Sequence, residues 1–193
     1  MAWLSPLGAQ LLLDRIVARV DGYAITLTDV RAALAFGVVD LPAGAGEQAA
    51  VEPLIDRQLV LAEVARFAPP EPATADIARE VAAITARTGG RLTEVMETTG
   101  VDEGRVREMA RDNLRTQAYL NQRFGTSAQL AEEEVLQYYR IHPEEFTREG
   151  RLMPFGEAEP MARQRAGAER RASAMALWMR DLRARAAISV TRN

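Results

Sequence analysis

The residues of this chain that could do chemistry are few, and the first to consider is its single histidine. His142 stands in the segment IHPEEF, where Glu144 and Glu145 follow it. One imidazole and two carboxylates are a poor ligand set for a metal ion unless further ligands lie nearby. A histidine before a proline is also well placed to end a helix, where a cation interacts favourably with the helix dipole. The second interpretation is favoured, and no metal site is predicted.

Motifs for covalent catalysis and for nucleotide binding are missing from the sequence. The chain has no cysteine, and all 24 of its basic residues are arginine, so neither a thiol nor a lysine can act as a nucleophile. No GxSxG elbow occurs, and neither GxGxxG nor GxxxxGK[ST] is present to hold phosphates. The sequence therefore predicts no cofactor and no catalytic residue, and it points away from an enzyme.

Methionine and aromatic side chains are a third group with a possible role. Methionine adapts its shape to apolar partners, so such residues in an open groove suit the binding of many different polypeptides. The same residue types also fill ordinary cores, and the sequence alone leaves both roles open. The candidates for peptide binding are Met96, Met109, Tyr119, Phe124, Tyr138, Tyr139 and Trp178.

Charge patterning argues against a nucleic-acid partner. The net charge is −3, and the arginines on one face of the last predicted helix are interrupted by Glu169 and Asp181. Such a face is expected to be solvated or to pair with the acidic run at residues 132–134. The arginines concerned are Arg163, Arg170, Arg171, Arg180 and Arg183.

The stretch DRIVARVDGYAITLTDV, residues 14–30, is the element around which the fold should be organised. Asp21-Gly22 between alternating apolar residues predicts a β-hairpin with a type I′ turn. This register places Val20 opposite Tyr23, Ala18 opposite Ile25 and Ile16 opposite Leu27 on one apolar face. Residues 187–191 alternate in the same way, and because a lone hairpin is marginal in water we expect them to form its third strand.

Apolar residues at helical spacing predict that the rest of the chain is mainly α-helical. Thr28 and Thr74 are candidate N-caps, and residues 144–160, with two prolines and two glycines, are expected to be mostly loop. The predicted helices cover residues 29–38, 47 or 53 to 67, 74–87, 93–98, 102–124, 128–141 and 161–187.

Residues 1–13, MAWLSPLGAQLLL, are apolar but shorter than the roughly 20 residues that span a bilayer. They are interpreted as the remainder of a signal peptide, with a disordered leader or a strand extension as the alternative. No other stretch could be transmembrane, so stable membrane insertion is not expected.

Five segments in order give the chain a resemblance to the SurA-like periplasmic chaperones over residues 13–146. They are IVARVDGYAITLTDV, LIDRQLVLAEVARF, ATADIAREVAAI, LTEVMETTGVDEGRVREMARDNLRTQAYLNQRF and EVLQYYRIHPEEF. The resemblance implies a mainly helical domain in which a small antiparallel sheet combines the N-terminal hairpin with a C-terminal strand. It also implies a periplasmic chaperone that needs no ATP and binds unfolded outer-membrane protein segments in an apolar groove between helices.

The chain departs from many relatives where a parvulin prolyl-isomerase domain would follow. Such a domain uses paired histidines, and here only residues 147–160 separate the sixth helix from the last one. The expected organisation is a leader (1–13), a chaperone domain (14–146), a linker in place of the isomerase domain (147–160), and a helix and strand that complete the chaperone domain (161–193). Two alternatives stay open: a member of the isomerase family with weak or no activity, and a structural adaptor with one dedicated partner. The oligomeric state, including a dimer, is also open.

Overall fold

A computed structural model of the chain, which describes residues 14–42, 44–125 and 129–191, is mainly helical with a small antiparallel sheet. This architecture is the one expected from the sequence. The predicted signal-peptide remainder, residues 1–13, lies outside the described residues. The strands are β1 (Ile16–Val20), β2 (Tyr23–Thr26), β3 (Thr147–Arg148), β4 (Arg151–Leu152) and β5 (Ile188–Val190). The helices are α1 (Leu27–Phe36), α2 (Glu47–Phe67), α3 (Thr74–Arg87), α4 (Leu92–Thr99), α5 (Glu103–Phe124), α6 (Glu132–Ile141) and α7 (Phe155–Arg185).

The predicted hairpin is confirmed near its turn and differs at its open end. Asp21 and Gly22 have φ values of 48° and 86°, as a type I′ turn requires. Val20 pairs with Tyr23 and Ala18 with Ile25, but Ile16 pairs with Thr26 and not with Leu27. The register shifts between Ile16 and Ala18, which is the effect of a β-bulge. The expected Ile16–Leu27 pair was therefore wrong, because Leu27 already belongs to α1.

The two ends of the described chain meet in one sheet, as predicted. Strand β5 runs antiparallel to β1, giving the strand order β2-β1-β5. The Asp21 N–H donates to the Ala187 carbonyl at 3.0 Å, and the Ala187 N–H donates back to the Asp21 carboxylate at 2.8 Å. At the other end, the Thr191 N–H donates to the Val17 carbonyl at 2.9 Å. The sheet therefore joins residues far apart in sequence.

The N-cap of α1 is Thr26, two residues before the predicted Thr28. The Thr26 hydroxyl accepts a bond from the Asp29 N–H at 3.2 Å, and the Asp29 carboxylate accepts one from the Thr26 N–H at 2.9 Å. This reciprocal pair is a capping box. The Thr28 N–H instead donates to Asp14. Helix α3 likewise begins at Thr74 itself, with Ala73 as its N-cap and no side-chain cap.

Helix α2 lies at the centre of the largest core cluster. Its fully buried Ile55 belongs to this cluster, which also includes residues of β1 and β2, Tyr119 and Phe124 of α5, and Trp178 of α7. A second cluster joins α1, α3, α4 and α5 around the fully buried Phe36 and Ile84. These two clusters position α5, which contacts both and carries the residues described below.

A third cluster forms where the sequence predicted mostly loop. This region contains a 3-10 turn (Pro143–Phe146), the β3–β4 hairpin and the first part of α7. Phe146, which is fully buried, packs against Val135 of α6 and Ala158 and Ala162 of α7. Helix α7 therefore begins six residues before the expected position, with Pro160 accommodated inside it.

Helix α7 connects this third cluster to the central one. It has 31 residues and is therefore about 46 Å long. Part of its arginine face pairs as expected, because Arg170 contacts Glu134 of the acidic run at 2.8 Å. Further along, Arg183 bridges Glu52 at 2.8 Å and Asp56 at 2.5 Å on α2. Among the described residues, no helix combines the length and apolar character needed to cross a membrane.

Candidate functional site

The seven residues predicted for peptide binding are distributed over the three core clusters. Met96 and Met109 belong to the second cluster, which contains α1, α3, α4 and α5. Tyr138 and Tyr139 belong to the third, beside Phe146. The other three, Tyr119, Phe124 and Trp178, lie together in the central cluster.

Tyr119, Phe124 and Trp178 form a compact aromatic group between α5 and α7. The ring of Trp178 lies 6.0 Å from that of Tyr119 and 5.4 Å from that of Phe124. The Arg123 guanidinium lies 5.2 Å from the Trp178 ring centroid, within the range of a cation–π interaction. The three rings are buried, so in this structure they support α5 and offer little surface to a ligand.

An aromatic recess, defined by Phe67, Pro69, Tyr119, Gln122 and Arg123, lies at the edge of this group. Its volume is about 290 Å³. Phe67 ends α2 with 57% of its surface exposed, and its ring centroid lies 5.6 Å from that of Tyr119. An exposed ring beside a second ring gives an incoming aromatic side chain a surface on which to stack.

A larger open trough lies where the loop after α1 faces α3, α5 and the middle of α7. Its volume is about 750 Å³, within the range of ligand-binding clefts. Its apolar residues lie mostly on the loop, and its polar ones on the helices. The lining residues are Gly37, Val38, Val39, Asp40, Leu41, Arg57, Glu80, Arg87, Asn113, Thr116, Gln117, Leu120, Asn121 and Arg171.

Several polar side chains of the trough are fixed by contacts with one another. Glu80 accepts a hydrogen bond from the Asn113 amide at 3.0 Å and one from Arg87 at 3.4 Å. Arg171 of α7 donates to the Asn121 side-chain oxygen at 2.8 Å. Gln117 lies between these two asparagines along α5 and has no such partner among the described residues.

Arg57 separates the trough from a smaller cavity of about 70 Å³ that Asp112 also lines. Its guanidinium makes no ion pair or hydrogen bond within the described part of the chain. Burial lowers the pKa of Arg57, and the Asp112 carboxylate opposes this effect. Burial also raises the pKa of Asp112, and Arg57 opposes that shift. The two half-buried charges attract each other without direct contact, which leaves Arg57 donors available to a bound polar group.

His142, Glu144 and Glu145 come together, but their contacts are those of a helix end. His142 is the C-cap of α6, with its ring 4.3 Å from that of Tyr138. The Glu145 carboxylate already accepts hydrogen bonds from Arg165 at 2.7 Å and from the Tyr138 hydroxyl at 3.1 Å. The bond from Arg165 holds the pKa of Glu145 below its usual value. The Glu145 carboxylate is therefore already engaged, and His142 ends α6 as the sequence predicted.

The polar residues of the trough were not among the residues predicted from the sequence. Asn113 and Gln117 share the spacing of three and four residues that the apolar residues of α5 follow. Two carboxamides among the apolar residues of this stripe could have indicated a polar site, because carboxamides that leave water require hydrogen-bond partners.

No protein-family model matches the chain, and no curated protein sequence matches it.

Proposed function

We propose that the protein is an ATP-independent chaperone that binds unfolded polypeptide segments in the periplasm, with outer-membrane protein chains as its clients. The resemblance of its segment order to SurA-like chaperones suggests this function. The single observation that carries it is the open trough of about 750 Å³ beside α5. A long polypeptide needs such an open cleft, since a closed cavity would admit only a small molecule.

The composition of the trough suits a client of variable sequence. Val38, Val39 and Leu120 offer apolar surface, while Asn113 and Gln117 offer groups that both donate and accept hydrogen bonds. Neither a phosphate-binding motif nor a cofactor is required for such binding, in agreement with the sequence analysis.

The aromatic recess provides a second contact for clients rich in aromatic residues. Phe67 is exposed at the end of α2 and rests on Tyr119, so its orientation is held before a client arrives. A ring already held in position loses little conformational freedom on binding.

Suppression of aggregation tests the chaperone function directly. An unfolded β-barrel outer-membrane protein is diluted from urea with and without the chain, and light scattering is followed. We expect scattering to fall at near-stoichiometric ratios without ATP. Undiminished scattering at a large excess of the chain would count against the proposal.

Replacement of Phe67 tests the recess. Phe67→Ala should weaken the binding of an aromatic-rich peptide about five-fold, since an aromatic pair contributes about 1 kcal/mol. Leu177→Ala is the matched control, because Leu177 is similarly exposed, at 55%, and lines neither the trough nor the recess. Fluorescence anisotropy measures the peptide affinity of both variants. Equal affinities would show that the recess does not contribute to peptide binding.

The alternatives predict other results. An isomerase would accelerate cis–trans exchange of an X-Pro peptide, and we expect no acceleration because this chain has one histidine where the isomerase domain uses a pair. A dedicated adaptor would retain one stoichiometric partner in a pull-down and show no general affinity for unfolded chains.

Export can be tested with an alkaline phosphatase fusion, which is active only in the periplasm.

A further inference from the structure

Three carboxamide side chains on one stripe of α5 indicate how an unfolded chain would be held. Asn113, Gln117 and Asn121 recur every fourth residue, and all three line the trough. We propose that this carboxamide ladder binds the main chain of an extended polypeptide, independently of the client's sequence. The inference rests on the proposed function and specifies what the trough recognises.

The spacing of the ladder matches the repeat of an extended chain. Residues four apart on an α-helix are separated by about 6.0 Å along its axis. Every second residue of an extended strand is separated by about 6.6 Å. The remaining difference is small enough for the flexible side chains to absorb, so successive carboxamides can contact successive peptide groups on one edge of the client.

Two rungs of the ladder are held in position by neighbouring charges. Asn113 donates one N–H to Glu80 at 3.0 Å, which leaves its side-chain oxygen as an acceptor. Asn121 accepts from Arg171 at 2.8 Å, which leaves its N–H groups as donors. Gln117 keeps both functions, since it has no partner within the described residues. The ladder thus offers donors and acceptors, as the alternating N–H and C=O groups of a peptide require.

The opposite wall of the trough offers main-chain groups of its own. The backbone of Val39, Asp40 and Leu41 belongs to no helix or strand, and among the described residues its peptide groups make no backbone hydrogen bond. An extended client can pair with this segment on one edge, as in strand addition, and with the carboxamides on the other. Hydrogen bonding on both edges favours a polypeptide over an apolar ligand.

The charges of the trough do not favour a simple anion. Arg87 is already shared with Glu80, and Arg171 is engaged by Asn121. Asp40 and Glu80 place two carboxylates against the three arginines of the lining. Arg57 keeps free donors, but the nearby Asp112 carboxylate offsets part of its charge. The uncharged ladder adds donors and acceptors that fit the neutral dipoles of a main chain.

The test compares a peptide with its depsipeptide, in which ester oxygens replace every second amide N–H. The probe is a fluorescein-labelled peptide of alternating threonine and tyrosine with a glutamate at each end, bound to the full chain. We expect the depsipeptide to bind at least ten-fold more weakly, because hydrogen bonds worth about 1 kcal/mol each are lost. Gln117→Leu should weaken the amide peptide about five-fold, whereas Gln164→Leu, at an exposed position of α7 outside the trough, should leave its affinity unchanged.

The outcomes separate the inference from the function on which it rests. If the wild-type chain binds peptide and depsipeptide equally and Gln117→Leu binds like the wild type, the ladder is overturned while the chaperone proposal stands. If the wild-type chain binds neither probe and protects no unfolded protein, the proposed function itself fails and the ladder with it. Unchanged circular dichroism and melting temperature of Gln117→Leu establish that a loss of affinity is not a loss of fold.

Discussion

Asp21 is the residue at which the two ends of the fold are joined. It occupies the left-handed region with φ of 48°, and its carboxylate accepts the Ala187 N–H at 2.8 Å. Both features depend on a short polar side chain, because Asp and Asn tolerate this backbone conformation better than other non-glycine residues.

Two substitutions of Asp21 test this role. Asp21→Ala should lower the free energy of unfolding by about 1 to 2 kcal/mol, since it removes an acceptor and adds backbone strain. Asp21→Asn keeps the acceptor and the conformational tolerance, and we expect it to change stability by less than about 0.5 kcal/mol. Urea denaturation measures both. A loss of less than about 0.5 kcal/mol in Asp21→Ala would show that the bond to Ala187 contributes little.

Glu145 gives the third cluster a dependence on acid. The hydrogen bond from Arg165 holds the pKa of Glu145 below its usual value of 4.5. A carboxyl with a lowered pKa in the folded state stabilises the fold above the unfolded-state pKa, and this contribution is lost as the pH falls through the folded-state pKa.

Glu145→Gln should therefore be less stable than the wild type at pH 7, and the difference should shrink below about pH 4.5. Thermal melts between pH 3 and 7 measure this difference. Glu149→Gln is the control, because Glu149 is exposed and makes no ion pair within the described residues. A constant difference across the range would contradict the assigned role of the Arg165–Glu145 pair.

At the residue scale, the sequence indicated which side chains have suitable chemistry but did not show which of them are exposed. The methionine and aromatic set was chosen for chemistry that suits a groove. Met109, Tyr119, Phe124 and Trp178 are nevertheless buried, because large apolar side chains contribute most when removed from water. The position of the α5 carboxamides in the trough could not be predicted, because helical periodicity assigns residues to one face of a helix without showing which element lies opposite that face.

At the scale of elements, α1 and α2 end in the same way with different residues. Gly37 ends α1 with φ of 60°, and Ala68 ends α2 with φ of 41°. Glycine adopts this conformation at no steric cost, whereas the Cβ atom of alanine lies too close to a carbonyl oxygen and the backbone is strained. The two C-caps therefore form a matched pair.

Exchange of the two residue types should change stability in opposite directions. Gly37→Ala is expected to cost about 1 kcal/mol. Ala68→Gly should gain about 0.5 kcal/mol, since relief of strain exceeds the added freedom of the unfolded chain. Chemical denaturation measures both. A stabilising Gly37→Ala would be incompatible with the left-handed cap.

Element types could be predicted from the sequence better than the ends of elements. The Asp21-Gly22 turn and the C-terminal strand followed from local chemistry and alternation. The bulge near Val17 did not, because the sequence does not show that α1 begins as early as Leu27. The N-cap of α1 could not be predicted for a similar reason. Thr26 and Thr28 are both suitable N-cap residues, and the sequence alone does not show that Thr26 takes this position.

At the scale of the whole molecule, α7 holds together two regions with separate cores. Within the part of the chain that the structure describes, the cluster around Phe146 shares no buried residue with the cluster around Ile55. Regions with independent cores can open independently, at a free energy below that of global unfolding.

Phe146→Ala should therefore increase hydrogen exchange across residues 132–153 while the amides of β1 stay protected. The cavity should cost about 3 to 5 kcal/mol, and this loss should fall on the third cluster. Exchange mass spectrometry resolves the two regions. Leu152→Ala, at a residue with 46% exposure, is the control and should have little effect. Equal deprotection of β1 would mean that the molecule unfolds as one unit.

The strand order has a consequence for how this protein is made. Strand β1 takes one neighbour from the adjacent hairpin and the other from the far end of the chain, and the bond between Asp21 and Ala187 spans 166 residues. Ribosomes synthesise a polypeptide from its N-terminus, so one edge of β1 lacks its hydrogen-bond partners until residues 188–190 have been made. During that interval the nascent protein presents the same unsatisfied backbone that, in the proposal above, the finished protein shields in others.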